Sequence, residues 1–107
     1  MDVIPVARVF ADLQETWSPQ VLADLNGQQV KAARLHGEFV WHAHAQEDEM
    51  FFVIRGELQM HFRDKVETIR PGEFLVVPRG VEHKPVAPEE VEVLLFEPAT
   101  TVRTGDV

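Results

Sequence analysis

The chain has 107 residues, 45% of them hydrophobic, and carries a formal net charge of −8. That is enough apolar sequence for one modest core, so a single domain over 1–107 is expected and disorder is not. The acidic balance provides no basic stripe to neutralise phosphates and excludes nucleic acid as a partner, while the absence of cysteine excludes disulfides, thiolate metal sites and a thiol nucleophile.

The opening MDVIPVARVF lacks the basic start and long apolar core of a secretory signal, and no run approaches the length of a membrane span. A cytoplasmic protein with no membrane contact is the expectation. Phe10, Leu13 and Trp17 recur at i, i+3 and i+7, which predicts a short helix over 10–17 stopped by Ser18-Pro19. Val21 to Leu25 and Val30 to Leu35 read as strands around Asn26-Gly27, a strong hairpin pair. Further strands are expected at Phe39–Ala43, Glu49–Ile54, Glu57–Phe62, Val66–Ile69, Phe74–Val77, Glu82–Val86 and Val91–Phe96. Turns separate them at Arg55-Gly56, Arg63-Asp64, Arg70-Pro71-Gly72, Arg79-Gly80 and Pro88-Glu89-Glu90. The polar tail from Pro98 to Val107 reads as frayed or as an arm across a neighbour.

Many short strands with little helix indicate an all-β sandwich or barrel, and the strand count matches a double-sheet jelly roll with its barrel core over 20–97. Runs such as MFFVI and FLVV are apolar at every position, so both faces of those strands need cover. Val3, Ile4, Val6, Val9 and Phe10 add further apolar surface ahead of the barrel. Together they predict a homodimer in which an outer sheet face is shared.

The chemistry concentrates in His42, His44, Glu49 and His83. Residues i and i+2 of a strand share a face, so His42 and His44 are expected to point together, with Trp41 and Ala43 turned away. A hairpin after Gln46-Glu47-Asp48 would return Glu49 beside them. Three imidazoles and one carboxylate suit Fe, Mn, Zn, Ni, Co or Cu better than Ca or Mg. His36, His61, Glu47, Asp48 and Arg79 read as surface residues.

The run Gly37-x4-His42-x-His44-x4-Glu49-x6-Gly56 resembles the first signature of the cupin superfamily, and Gly72-x5-Pro78-x-Gly80-x2-His83 resembles its second. Two departures stand out: Gly37 lies one residue closer to His42 than is usual, and Ala87 stands where the second motif often ends in Asn. The resemblance implies a small single-domain cupin, a double-stranded β-helix (jelly-roll) barrel with a short N-terminal helix. It makes His42, His44, Glu49 and His83 the ligands of one divalent transition metal. It further implies a metal-dependent enzyme, an oxygenase or an isomerase/lyase, acting on a small polar metabolite. A non-catalytic metal- and ligand-binding or sensing module is the alternative.

Small cupins are often likened to mannose-6-phosphate isomerases; here the barrel and ligand set alone carry that likeness. Without tyrosine the chain has no phenolic acid of the kind used by the sugar epimerases of this superfamily. Without cysteine it cannot form the Cys–Tyr crosslink associated with thiol dioxygenases. Glu47, His61, Glu82 and Lys84 remain for proton transfer, though each also reads as a surface residue, and no catalytic residue is assigned. Phe39, Phe51, Phe52, Phe62, Phe74 and Phe96, with Met50 and Met60, are the pool from which a pocket wall is expected. Trp41 reads as packing.

Overall fold

The computed structural model describes residues 1–105. Helix α1 (Val6–Asp12) precedes seven strands: β1 (Gln20–Leu25), β2 (Gln28–Glu38), β3 (Glu49–Arg55), β4 (Leu58–His61), β5 (Val66–Ile69), β6 (Phe74–Val77) and β7 (Lys84–Pro98). Every strand pairing is antiparallel. The result is the expected jelly roll. No helix among the described residues is long and apolar enough to cross a membrane.

The β1–β2 hairpin forms at Asn26-Gly27, where both residues adopt positive φ (51° and 79°), the conformation a tight two-residue hairpin turn requires. β2 then pairs along its length with β7, from Gln28 opposite Pro98 to Glu38 opposite Val86. The other edge of β7 changes partner. Its second half pairs with β3, while its first half pairs with β4. The sheet order β1-β2-β7-β3-β6 thus shares β7 with the β4–β5 layer, and the two layers fold over one core. Alternate residues of the long strands point into it: Ala33 and Leu35, Phe51 and Val53, Val91, Val93 and Leu95, against Leu58 and Met60.

Three expected elements differ. Pro88-Glu89-Glu90 is not a turn; it lies within β7 at the change of partner. Register slips there between Leu35 and Gly37 on β2, and an unpaired bulge tolerates the N–H that proline lacks. The helix lies earlier than 10–17, because Arg34 on β2 ends it. Its guanidinium donates to the carbonyls of Phe10 and Leu13, and Leu13 is already extended. Past Leu13, Thr16 bridges to Arg34 and Trp17 takes φ 57°. Phe39–Ala43 is not a strand, since only His42 forms a β-bridge there, with His83.

The tail also departs from expectation. Through Gly105 it packs on its own chain: Ala99 donates to Gly27, Thr101 to Pro98, and Arg103 to the carbonyl of Trp17. A Cβ at Gly105 would stand 2.7 Å from the Ala43 carbonyl oxygen, so the tail lies directly against the His42–Ala43 segment. Asp106 and Val107, which belong to the same expected arm, lie outside the described residues.

Gly56 tests the tight turn before β4. It has φ 86°, and a Cβ there would meet the Glu90 carbonyl oxygen at 2.6 Å and Val91 at 3.1 Å. Gly80 has a similar φ of 80° but nothing within 4 Å. Gly56→Ala should therefore lose about 2–4 kcal/mol in urea unfolding, from left-handed strain plus overpacking. Gly80→Ala should lose only the backbone part, about 1–2 kcal/mol.

Candidate metal centre

The structure brings His42, His44, Glu49 and His83 together. One ligand atom from each lies within 4.8 Å of all the others, so the group can hold a metal ion. His42 and His83 are clamped by a reciprocal backbone pair, His42 N–H to His83 O at 3.0 Å and His83 N–H to His42 O at 2.9 Å. Their rings stand 4.2 Å apart. Strand alternation is therefore not what aims His42 and His44. The bridge sets His42, and His44 is fixed where its carbonyl accepts from Gly80 N–H. Glu49 opens β3, on the strand face that buries Phe51 and Val53.

Ring orientation is settled by the backbone. His42 Nδ1 lies 2.8 Å from the carbonyl of Val40, and His83 Nδ1 lies 3.0 Å from that of Val81. Each Nδ1–H donates to a carbonyl, which leaves Nε2 as the lone-pair nitrogen. Glu49 Oε1 is 3.5 Å from His44 Nε2 and 3.6 Å from His83 Nε2, longer than good hydrogen bonds. Both Glu49 Oε1 and His83 Nε2 are buried with no hydrogen-bond partner. Donor atoms around one ion at about 2.0–2.2 Å stand roughly 3–4 Å apart. The residues present thus fit a transition-metal ion: the orphaned atoms have the right chemistry and nearly the right spacing.

Burial lowers the pKa of His42, outweighing the Val40 carbonyl, and so favours the neutral ring that a metal needs. Burial alone would raise Glu49. The His44 and His83 rings and the Glu97 carboxyl around it outweigh that and hold it well below the usual range.

Glu97, on β7, lies beside the cluster and pairs with Lys31, on β2; the sequence patterns single out neither. Glu97 is 2% exposed, with Oε1 2.7 Å from Lys31 Nζ and Oε2 unpartnered. Burial raises its pKa, the neighbouring Glu49 raises it further, and Lys31 opposes both; the result is about 9. Of the two carboxyls, burial and the surrounding groups favour the proton on Glu97 and the charge on Glu49. The available signal was parity: Lys31 and Glu97 share strand faces with Ala33 and Leu95, which point inward.

Glu47 is not a solvated loop acid. It is buried, accepts from the Thr100 hydroxyl at 2.9 Å, and places Oε1 4.0 Å from His44 Nδ1. It stays outside the ligand group yet backs one of its rings. Asp48 is exposed as expected and pairs with Arg79. The other proton-transfer candidates lie elsewhere: His61 contacts Gln59, Glu82 pairs with Arg63, and Lys84 pairs with Glu38. Trp41 lies under the Arg63 guanidinium at 3.8 Å, an outward packing role.

A cavity of about 410 Å³, counting its open mouth, reaches the cluster at His42 and Glu49. Of the expected aromatic residues only Phe39 and Phe51 line it. Trp17, beyond the end of α1 rather than within a helix, does as well, stacked on Phe39 at 4.8 Å. Phe52 and Phe74 pair across β3 and β6 on the opposite sheet face.

In the metal-free protein at pH 7, the infrared spectrum should contain a protonated carboxylic acid band that Glu97→Gln removes. The pKa of Glu97 is raised on folding. Its stabilising contribution is therefore complete below the unfolded value of 4.5 and is lost as pH rises towards about 9. The fall in stability across that window should be shallower in the variant.

Residues 33–97 match the family model of the cupin domain. A cupin-2 domain protein from Shewanella frigidimarina has 47% identity and a TM-score of 0.88, covering 90% of this chain and 94% of that one. A Neisseria meningitidis protein has 30% identity and a TM-score of 0.83, over 92% and 100%. The protein YdbB of Bacillus subtilis is 34% identical over 64 residues, a match that spans 59% of this chain and 57% of that protein. With its paired motifs folded into one jelly roll around a histidine–glutamate cluster, this chain belongs to the cupin domain family.

Proposed function

We propose that His42, His44, Glu49 and His83 bind one divalent transition metal, and that the chain is a metal-dependent enzyme, an oxygenase or an isomerase/lyase, acting on a small polar metabolite. The observation that carries this reading is the convergence of four ligand-type side chains, three of them buried, with His42 and Glu49 at the wall of a partly open cavity. A bound ion supplies Lewis-acid polarisation or, if redox-active, electron transfer. The chain's own residues do the rest. Val40 and Val81 carbonyls hold two rings in one tautomer. Glu49 keeps a carboxylate in the cluster, and apolar side chains make up most of the neighbouring cavity wall. Glu97 places a second, buried carboxyl beside that carboxylate. A non-catalytic sensing role would use the same residues and differ only in the absence of turnover.

The homodimer belongs to this reading. Across β6, β3 and β7, Phe74 pairs with Phe52, which pairs with Leu94; Val76 pairs with Met50, which pairs with Phe96. Phe74 is 61% exposed and Val76 48%. An apolar face of this kind supports a symmetric interface at the β6 edge.

Protein purified without a metal-affinity step should contain about one transition metal per chain, and His44→Ala should lose most of it by elemental analysis, as removal of one of four ligands predicts. Occupancy that survives the substitution contradicts the ligand set. In light scattering, the wild type should have twice the 12.2 kDa chain mass and Phe74→Glu should have the chain mass itself. A wild-type mass of one chain rejects the dimer.

A further inference from the structure

The three imidazoles of the cluster are not held alike. His42 and His83 each aim Nδ1 at the backbone carbonyl two residues upstream, at 2.8 and 3.0 Å. His44 stands instead between two carboxyls, with Glu49 Oε1 3.5 Å from its Nε2 and Glu47 Oε1 4.0 Å from its Nδ1. Nε2 is thus the nitrogen on the side of the cluster, and giving it to a metal leaves the proton on Nδ1, which faces Glu47. At 4.0 Å that contact is an ion-pair distance rather than a hydrogen bond. A carboxylate behind a ligating imidazole fixes the ring and makes it a stronger donor.

Glu47 is itself held in place. It lies in the loop between β2 and β3 yet is 8% exposed, and burying a carboxyl is costly without a compensating partner. Among the described residues its ion-pair partner is His44 rather than any lysine or arginine. Its other oxygen, Oε2, accepts from the Thr100 hydroxyl at 2.9 Å. Thr100 belongs to the tail and sits between two anchored neighbours. Ala99 N–H donates to the Gly27 carbonyl at 3.0 Å, and Thr101 donates to the Pro98 carbonyl through its N–H at 3.0 Å and its hydroxyl at 2.7 Å. The tail meets the ligand segment again at Gly105, where a Cβ would stand 2.9 Å from the His42 Cβ. One line of contacts therefore runs from the tail through Glu47 to His44.

We propose that Glu47 is a positioning residue of the metal centre, fixing the His44 ring through Nδ1, and that Thr100 holds it there, so that metal affinity depends on the docking of the C-terminal tail. Glu47 acts through His44 and is not itself a ligand. This assignment rests on the metal reading above and adds to it a control exerted by residues outside the ligand set.

The test measures zinc affinity of the full chain by competition with a chelator. Glu47→Ala should weaken zinc by about tenfold, the lower end of the usual effect of removing a group behind a ligand. Glu47→Gln keeps an oxygen acceptor and should stay within about threefold of wild type, whereas Glu47→Met, of similar length but with no oxygen, should be as weak as Glu47→Ala. Thr100 is exposed, so Thr100→Val leaves the core intact; it should weaken zinc by about threefold, and Thr100→Ser should restore it. In NMR spectra of zinc-loaded protein, the Nδ1–H resonance of His44 should move in Glu47→Ala and in Thr100→Val. Those of His42 and His83, held by the Val40 and Val81 carbonyls, should stay. If Glu47 merely fills space, Glu47→Met binds zinc as tightly as Glu47→Gln, and the proposal is overturned. Zinc affinity unchanged in Thr100→Val removes the tail's part in it. Wild-type protein that takes up no zinc overturns the metal reading instead, so the failures are distinguishable.

Discussion

The paired backbone hydrogen bonds between His42 and His83 are the constraint on which the site depends. They fasten an irregular segment to the start of β7 and place two imidazoles 4.2 Å apart. The acceptors that orient those rings are carbonyls two residues upstream, at Val40 and Val81, so ring direction follows from backbone path rather than from any other side chain. Phe39 N–H to Pro85 O extends the same contact, and the Phe39 ring then meets His42 edge-on while stacking on Trp17. The histidine–glutamate cluster and the cavity wall thus share one strip of chain.

Charge is distributed unevenly in value as well as in place. Arg63–Glu82, Arg70–Glu57 and Lys65–Glu67 are exposed pairs that contribute little to stability. Lys31–Glu97 is buried, and a buried pair has a desolvation cost that hydrophobic residues would avoid. Its position explains its presence. It lies beside Glu49, where a second carboxyl can persist only with a proton or a cation at hand.

Much of this was legible because it depends on local chemistry. Asn26-Gly27 specifies a hairpin with no outside help, and the ligand motifs carry residue types and spacings that few other sites need. β5 and β6 fall at the expected residues because short apolar runs between turns have little alternative. What was not legible depends on residues far apart in sequence. The helix ends at Arg34's bonds to Phe10 and Leu13, more than twenty positions away. Pro88 remains in a strand because β7 changes partner beside it. Glu47 is buried by Thr100, and Glu97 reaches the site through register with β2 and β3. Trp17 matched a helical stripe, yet its indole serves the cavity.

The double allegiance of β7 also bears on the order in which the chain can assemble. β2, β3 and β4 each wait for a strand that is synthesised after all of them, and most of the sheet's pairings span long stretches of sequence. Such topologies fold in milliseconds to seconds, whereas translation adds about 5–20 residues per second. A ribosome-bound chain that has reached β6 therefore already carries His42, His44 and Glu49 while lacking His83 and the strand that closes the barrel. During that interval its unpaired strand edges are open to neighbours, and three of the four donors are present without their enclosure. The four-residue cluster is thus completed late in biosynthesis, once β7 has left the exit tunnel.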